Sequence, residues 1–194
     1  MIMRVMIDKN YLENHKQIDI RRDYVFISMI FAFSGFFGFF YETLFYWIDL
    51  GYIVKRGMTF GPWVPIYWFG ALAILMCPVK LRTSPGTLFV SSAILCGAIE
   101  YITGSILFNR FGVRLWDYNT EIWSWGNING YVCFRSVFFF GLSALFLLYV
   151  VCPFFENVAN RCNTKTSKII AVLPGALFLM DIAVNIPLYF SQII

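Results

Sequence analysis

The stretch YVFISMIFAFSGFFGFFYETLFYW, residues 24–47, decides the fold class, because in all that length it carries a single charge, Glu42. A helix of this length reaches about 36 Å, enough to cross a hydrocarbon core of roughly 30 Å. The run lacks the period-two alternation of a barrel strand, and backbone groups cannot go unpaired in lipid, so it reads as a transmembrane helix. The rest of the 194-residue chain has the same character: it is 59% hydrophobic and 20% aromatic but only 13% charged. Soluble domains carry about 25% charged residues, so the exterior is built for lipid. Further apolar runs at 60–79, 85–108, 131–152 and 168–190 predict an all-α polytopic bundle of about five transmembrane helices. It forms one transmembrane domain, 24–194, behind a polar tail, 1–23. The tail shows no short apolar core of a cleaved signal peptide, so the first span is expected to stay as an anchor.

Orientation follows from Lys and Arg. Arg4, Lys9, Lys16, Arg21, Arg22, Lys80, Arg82, Arg161, Lys165 and Lys168 fall on one side, against Lys55, Arg56, Arg110 and Arg114 on the other. Ten against four predicts that the N-terminus is cytoplasmic and, with five spans, the C-terminus outside; the expected setting is that of a multi-pass protein of the plasma (cytoplasmic) membrane. The same bias accounts for the net charge of +4, so no nucleic-acid partner is implied. Cys77, Cys96, Cys133, Cys152 and Cys162 lie in spans or on the inner side and match no metal motif; they read as packing residues. No cofactor motif is present.

Two segments share a layout. GFFGFFYETLFYW (35–47) and ILCGAIEYITGSILF (94–108) each set a glutamate after a glycine in an apolar helix, and an irregular aromatic loop follows each. This suggests two duplicated helix–loop–helix units plus a fifth helix, as in transporters with internal repeats. The first loop runs into RGMTFGPWVPIYWFG (56–70), where helix breakers crowd the mouth of a span. Pro62 suits a first helical turn, Thr59 a cap and the glycines tight turns, so a Gly/Pro hairpin is expected to fold over the outer mouth with Lys55 and Arg56 as a cationic rim. The second loop interleaves Trp116, Asp117, Tyr118, Asn127 and Asn129, which suits either an aromatic belt or a lid over a polar cavity.

Four ionisable residues fall inside spans: Glu42, Glu100, Arg135 and Asp181. Each costs about 2.5–3.5 kcal/mol on insertion scales, and all four lie between the midplane and the outer face, so one shared polar cavity is expected. Glu42 shares a side with Gly35 and Gly38, and Glu100 with Ser92, Cys96 and Gly104, which points both acids into the bundle. Arg135 is expected to neutralise one of the three acids, leaving the rest to be protonated, wetted or matched by a bound cation. The candidate binding residues are these four together with Arg56, Tyr67, Trp116, Asp117, Tyr118 and Asn129; no catalytic residue and no metal ligand is identified.

KRGMTFGPWVPIYWFGAL (55–72) resembles the most distinctive segment of the ABC-transporter type IV family of small bacterial integral membrane proteins. The Glu42 span, the IEY at 100, the WDY at 116–118 and NGYVCFRSVFFFGL (129–142) follow in the family's order, and the likeness covers roughly residues 30–150. It departs from the pattern at Trp68, where a smaller residue is expected. The resemblance implies a permease-like role but no substrate. No G-x-x-x-x-G-K-[ST] loop occurs, so an ABC function would need a separate ATPase, for which the fourth loop, FENVANRCNTKTSK (155–168), is the longest inner connection.

Three functions are therefore open. One is a small transporter whose outward-facing carboxylate–arginine site takes a cation or small polar solute. Another is an accessory membrane subunit of a larger complex, and the third is a membrane enzyme on a lipid-linked substrate. Membrane lipids, a separate ATPase or other membrane subunit, and a second copy of the chain are the partners such a protein would meet.

Overall fold

A computed structural model describes residues 24–77, 81 and 84–191; the tail 1–23 and the basic residues Lys80 and Arg82 lie outside the described residues. Among the described residues five helices are formed: α1 (Tyr24–Leu50), α2 (Pro65–Met76), α3 (Pro85–Phe111), α4 (Phe134–Arg161) and α5 (Lys165–Ser191). A π-helical turn, Leu147–Val151, lies within α4. Four of the five are long and apolar enough to cross a membrane, and α2 is not. The protein is a helical polytopic membrane protein.

The second span differs from the helix expected over 60–79. With 12 residues, α2 is about 18 Å long. It starts at Pro65, with Val64 as N-cap, rather than at Pro62. The last proline decides this: inside a helix its ring would clash with the preceding turn and remove a hydrogen bond, so the helix begins where that costs nothing. Thr59 caps no helix; its hydroxyl donates to the carbonyls of Gly61 and Trp63 at 3.3 and 2.8 Å.

The Gly/Pro hairpin does not stop at the surface. The amide of Val64 donates to the carbonyl of Gly35 at 3.0 Å, and Gly35 sits near the middle of the 27-residue α1. Residues 51–64 therefore travel about half the depth of the bundle as non-helical chain, and α2 fills the other half. Such backbone is tolerated at membrane depth where protein satisfies it. Gly57 makes one of the turns, at φ 83°, where a side chain would be strained and would strike the carbonyl of Trp63.

The second unit repeats the plan. Ser136, in the first turn of α4, bonds Glu100 near the middle of α3, so loop 112–133 also descends before the next helix starts. Here the returning helix is full length. A single antiparallel bridge, Ile128↔Val132, closes the loop's tip. We call the end holding both loops the loop end and the opposite one the tail end. At the tail end, residues 155–168 are mostly helical: α4 runs to Arg161 and α5 starts at Lys165, so the expected long fourth loop shrinks to three residues.

Ile30, Ile74, Leu88, Ala144 and Leu147 form the main core between α1, α2, α3 and α4. Trp68 fits by stacking edge-on against Phe31, ring centroids 4.5 Å apart. Small residues let elements close in: a Cβ at Gly35 would enter the Phe178 ring of α5, and one at Gly38 the Tyr67 ring. Gly38→Leu is accordingly expected to destabilise by about 1–3 kcal/mol through overpacking, read as a lower melting temperature in detergent, whereas Phe36→Leu on the exposed side should change little. Outward faces are apolar. Val90, Ile94, Ile102 and Ile106 line one side of α3, and Phe134, Phe138, Leu142, Phe146, Val150 and Phe154 one side of α4, all exposed. Stripes of that length suit acyl chains rather than water. All five cysteines are buried.

Candidate functional site

Three carboxylates and two guanidiniums meet in the loop-end half of the bundle. Glu42, on α1, accepts from Arg56 Nε at 3.1 Å. Arg56 reaches it from the descending hairpin, its guanidinium 3.8 Å above the Tyr46 ring and its Nη2 on the carbonyl of Leu115 at 3.2 Å. Arg135 lies in the first turn of α4. Its Nη2 donates to Glu121 Oε2 at 2.6 Å, its Nη1 to the carbonyl of Ile122 at 3.0 Å, and its guanidinium lies 3.7 Å over Phe45. The other oxygen of Glu121 accepts from the Tyr46 hydroxyl.

Glu100 is held differently. It is 5% exposed and accepts from the hydroxyls of Tyr118 and Ser136 at 2.6 and 2.8 Å. Burial, then the carboxylate itself, hold the Tyr118 hydroxyl well above its ordinary range, so it remains a donor. No guanidinium contacts Glu100 among the described residues.

These groups line a cavity of about 40 Å³, walled also by Tyr41, Tyr67, Trp116 and Phe139. That is room for about three water molecules. Arg135 Nε is buried against its neighbours without an acceptor among the described residues. On the tail-end side of Glu100 lies a second cavity of about 60 Å³, nearly all apolar, bounded by Ser34, Cys96, Ser143 and Val151. Glu100 lines both. With Ile66, Tyr67 and Phe140 it stands between a polar and an apolar space.

Of the residues expected to share a site, Glu42, Glu100, Arg135, Arg56, Tyr67, Trp116 and Tyr118 do line one cavity. Asp181 does not join them. Its oxygens accept from the amides of Phe60 and Gly61 at 2.8 and 2.6 Å, from Trp63 Nε1 at 2.8 Å and from Asn185 Nδ2 at 2.7 Å. It ties the hairpin to α5. Asp117 and Asn129 brace the second loop: Asp117 Oδ1 takes the Asn119 amide and Arg114, and Arg114 also donates to the Asn129 carbonyl. Asn129 adopts φ 55°, a left-handed conformation asparagine accepts more readily than most residues.

The partner of Arg135 is also not one of the acids inside spans but Glu121, from the loop. Glu121, Tyr46 and Ser136 were not singled out in the sequence. Glu121 lies in a loop whose polar and aromatic residues already suggested a lid, and that was its only signal. Ser136 had none, because a lone serine beside an arginine is ordinary.

A family model described as "Putative ABC-transporter type IV" matches residues 29–186, which reaches into all five helices and takes in every group of the cluster. The chain belongs to that family. Nothing among curated proteins or solved structures matches. Membership in the ABC-transporter type IV family carries the coarse reading, a membrane protein of ABC-transporter type; the chemistry of the site rests on the geometry above.

Proposed function

We propose that the chain is a permease-like transport component of the plasma membrane, its N-terminus cytoplasmic and its loop end outward, whose carboxylate–arginine cluster takes a small cation, a proton above all, at Glu100. The observation that carries this is the charge balance: Glu42, Glu100 and Glu121 face Arg56 and Arg135, so one carboxylate is in excess, and it is the one bonded only to hydroxyls. An excess carboxylate at membrane depth calls for a proton, a cation or water. The cavity's size favours the smallest of these. So does the arrangement of the acids, since no three His, Cys, Asp or Glu side chains among the described residues come together as a metal site. The Lys and Arg bias supports the orientation. Energy from ATP would require a separate ATPase on the tail-end face.

The test is Glu100→Gln, which keeps the shape and an acceptor. In infrared difference spectra across a pH step, the wild type is expected to give a carboxyl protonation band that the variant lacks. In liposomes loaded with a pH-sensitive dye, proton entry driven by an imposed potential should fall about a hundredfold, the scale expected when the transferring group is removed. An unchanged band together with unchanged entry, in a variant that melts like the wild type, would refute the reading.

A further inference from the structure

Half a helix is missing from the second span, and no described residue fills the space it leaves. Above the start of α2 lies a chamber of about 780 Å³, bounded by α3, α5 and both loops. Ile99 and Leu107 of α3 and Ile186 and Phe190 of α5 make apolar walls. The two helices meet over it, with the Phe111 and Phe190 ring centroids 5.1 Å apart. Phe69 of α2 forms the floor at 52% exposure, so the chamber reaches the lipid-facing surface there.

Its rim has the opposite chemistry. Lys55, Arg56 and Arg114 line the loop-end side, and Glu42 is the one carboxylate in the lining. Arg56 is taken by Glu42, and Arg114 touches Asp117 at a longer 3.3 Å while lying 4.4 Å over Phe108. Lys55 makes no ion pair among the described residues and rests 5.6 Å from the Phe60 ring. The chamber thus has a mostly apolar, chain-sized interior beneath a net positive mouth. A volume in the range of about 300–1,000 Å³ with few, placed charges is that of a ligand site.

We infer that this chamber binds one anionic phospholipid of the surrounding leaflet, an acyl chain lying between α3 and α5 and the phosphate at Lys55 and Arg114. Apolar walls open to the bilayer favour an acyl chain over a soluble anion, and the basic rim favours a net negative headgroup over a zwitterionic one. The lipid site adjoins the cation site through Arg56 but does not depend on it: Glu100→Gln should leave lipid binding intact, so each can fail alone.

Native mass spectrometry of the full chain in neutral detergent tests this, with phosphatidylglycerol and phosphatidylcholine of identical acyl chains as probes. The expected result is one phosphatidylglycerol per chain, retained with about tenfold preference. Lys55→Glu should abolish the preference, and Thr103→Trp, which fills the chamber from the α3 wall and leaves the rim alone, should abolish retention. Equal retention of both lipids would overturn the inference. Retention surviving Thr103→Trp would place the headgroup on a surface patch and overturn it too, as would displacement of the lipid by inorganic phosphate alone. Should a variant fold poorly, the wild type decides: a phosphatidylglycerol with a photoreactive acyl chain should crosslink to residues such as Leu107 or Ile186, and crosslinks confined to the outward stripes of α3 and α4 would sink the proposal.

Discussion

Replacing Arg135 with methionine is expected to destabilise the protein by about 3–5 kcal/mol, the usual result of leaving one partner of a buried pair alone. Its partner Glu121 has a side chain only 5% exposed, and the remaining donor to it is the Tyr46 hydroxyl. The carbonyl of Ile122 would lose its donor as well. The effect should appear as a fall of about 10 °C or more in the melting temperature in detergent. Glu121→Gln combined with Arg135→Met should recover much of the loss, because the uncompensated charge is then gone. A double variant as unstable as Arg135→Met alone would mean that packing over Phe45 matters more than charge. The same cycle on Arg56 and Glu42 should give smaller values, since both side chains are 17–18% exposed.

Asp181→Ala is the second large effect, and it should be local. Three donors from the hairpin converge on that carboxylate, two backbone amides and one indole. Hydrogen bonds to a charged group contribute about 1.5–3 kcal/mol each, so the hairpin's main anchor to α5 is lost. Loss is limited by the point at which the hairpin simply lets go. Hydrogen exchange of the Gly61 amide should then quicken by about a hundredfold or more, while amides of α3 and α4 stay as protected as before. Asp181→Asn, which retains one oxygen acceptor, should restore part of the protection. Unaltered exchange in Asp181→Ala would show that the Val64–Gly35 bond and the Trp63–Phe178 stack hold the hairpin without it.

Much of this protein is legible from residue order. Apolar length alone identified the four full-length spans, because a helix that satisfies its own backbone is the local answer to hydrocarbon and needs no distant partner. The glycine and small-residue faces of α1 and α3 were readable for the same reason: spacing on one helix is local information. So was the depth of each charge, which put Glu42, Glu100 and Arg135 in the same half of the bundle, where they line one cavity.

Pairing was not local. Arg135 could have met any of three acids by depth, and the choice of Glu121 depends on how loop 112–133 folds back through 13–14 residues of irregular chain. Asp181 shares its depth with the cluster yet faces another side, a matter of how α5 lies against α1 through Gly35 and Phe178. The half-length of α2 falls between the two kinds of information. Its prolines announced a break, but only the tertiary bonds from Gly35 and Asp181 show that the chain before the break stays at membrane depth, because a non-helical backbone can remain there only where neighbours far away in sequence accept its hydrogen bonds.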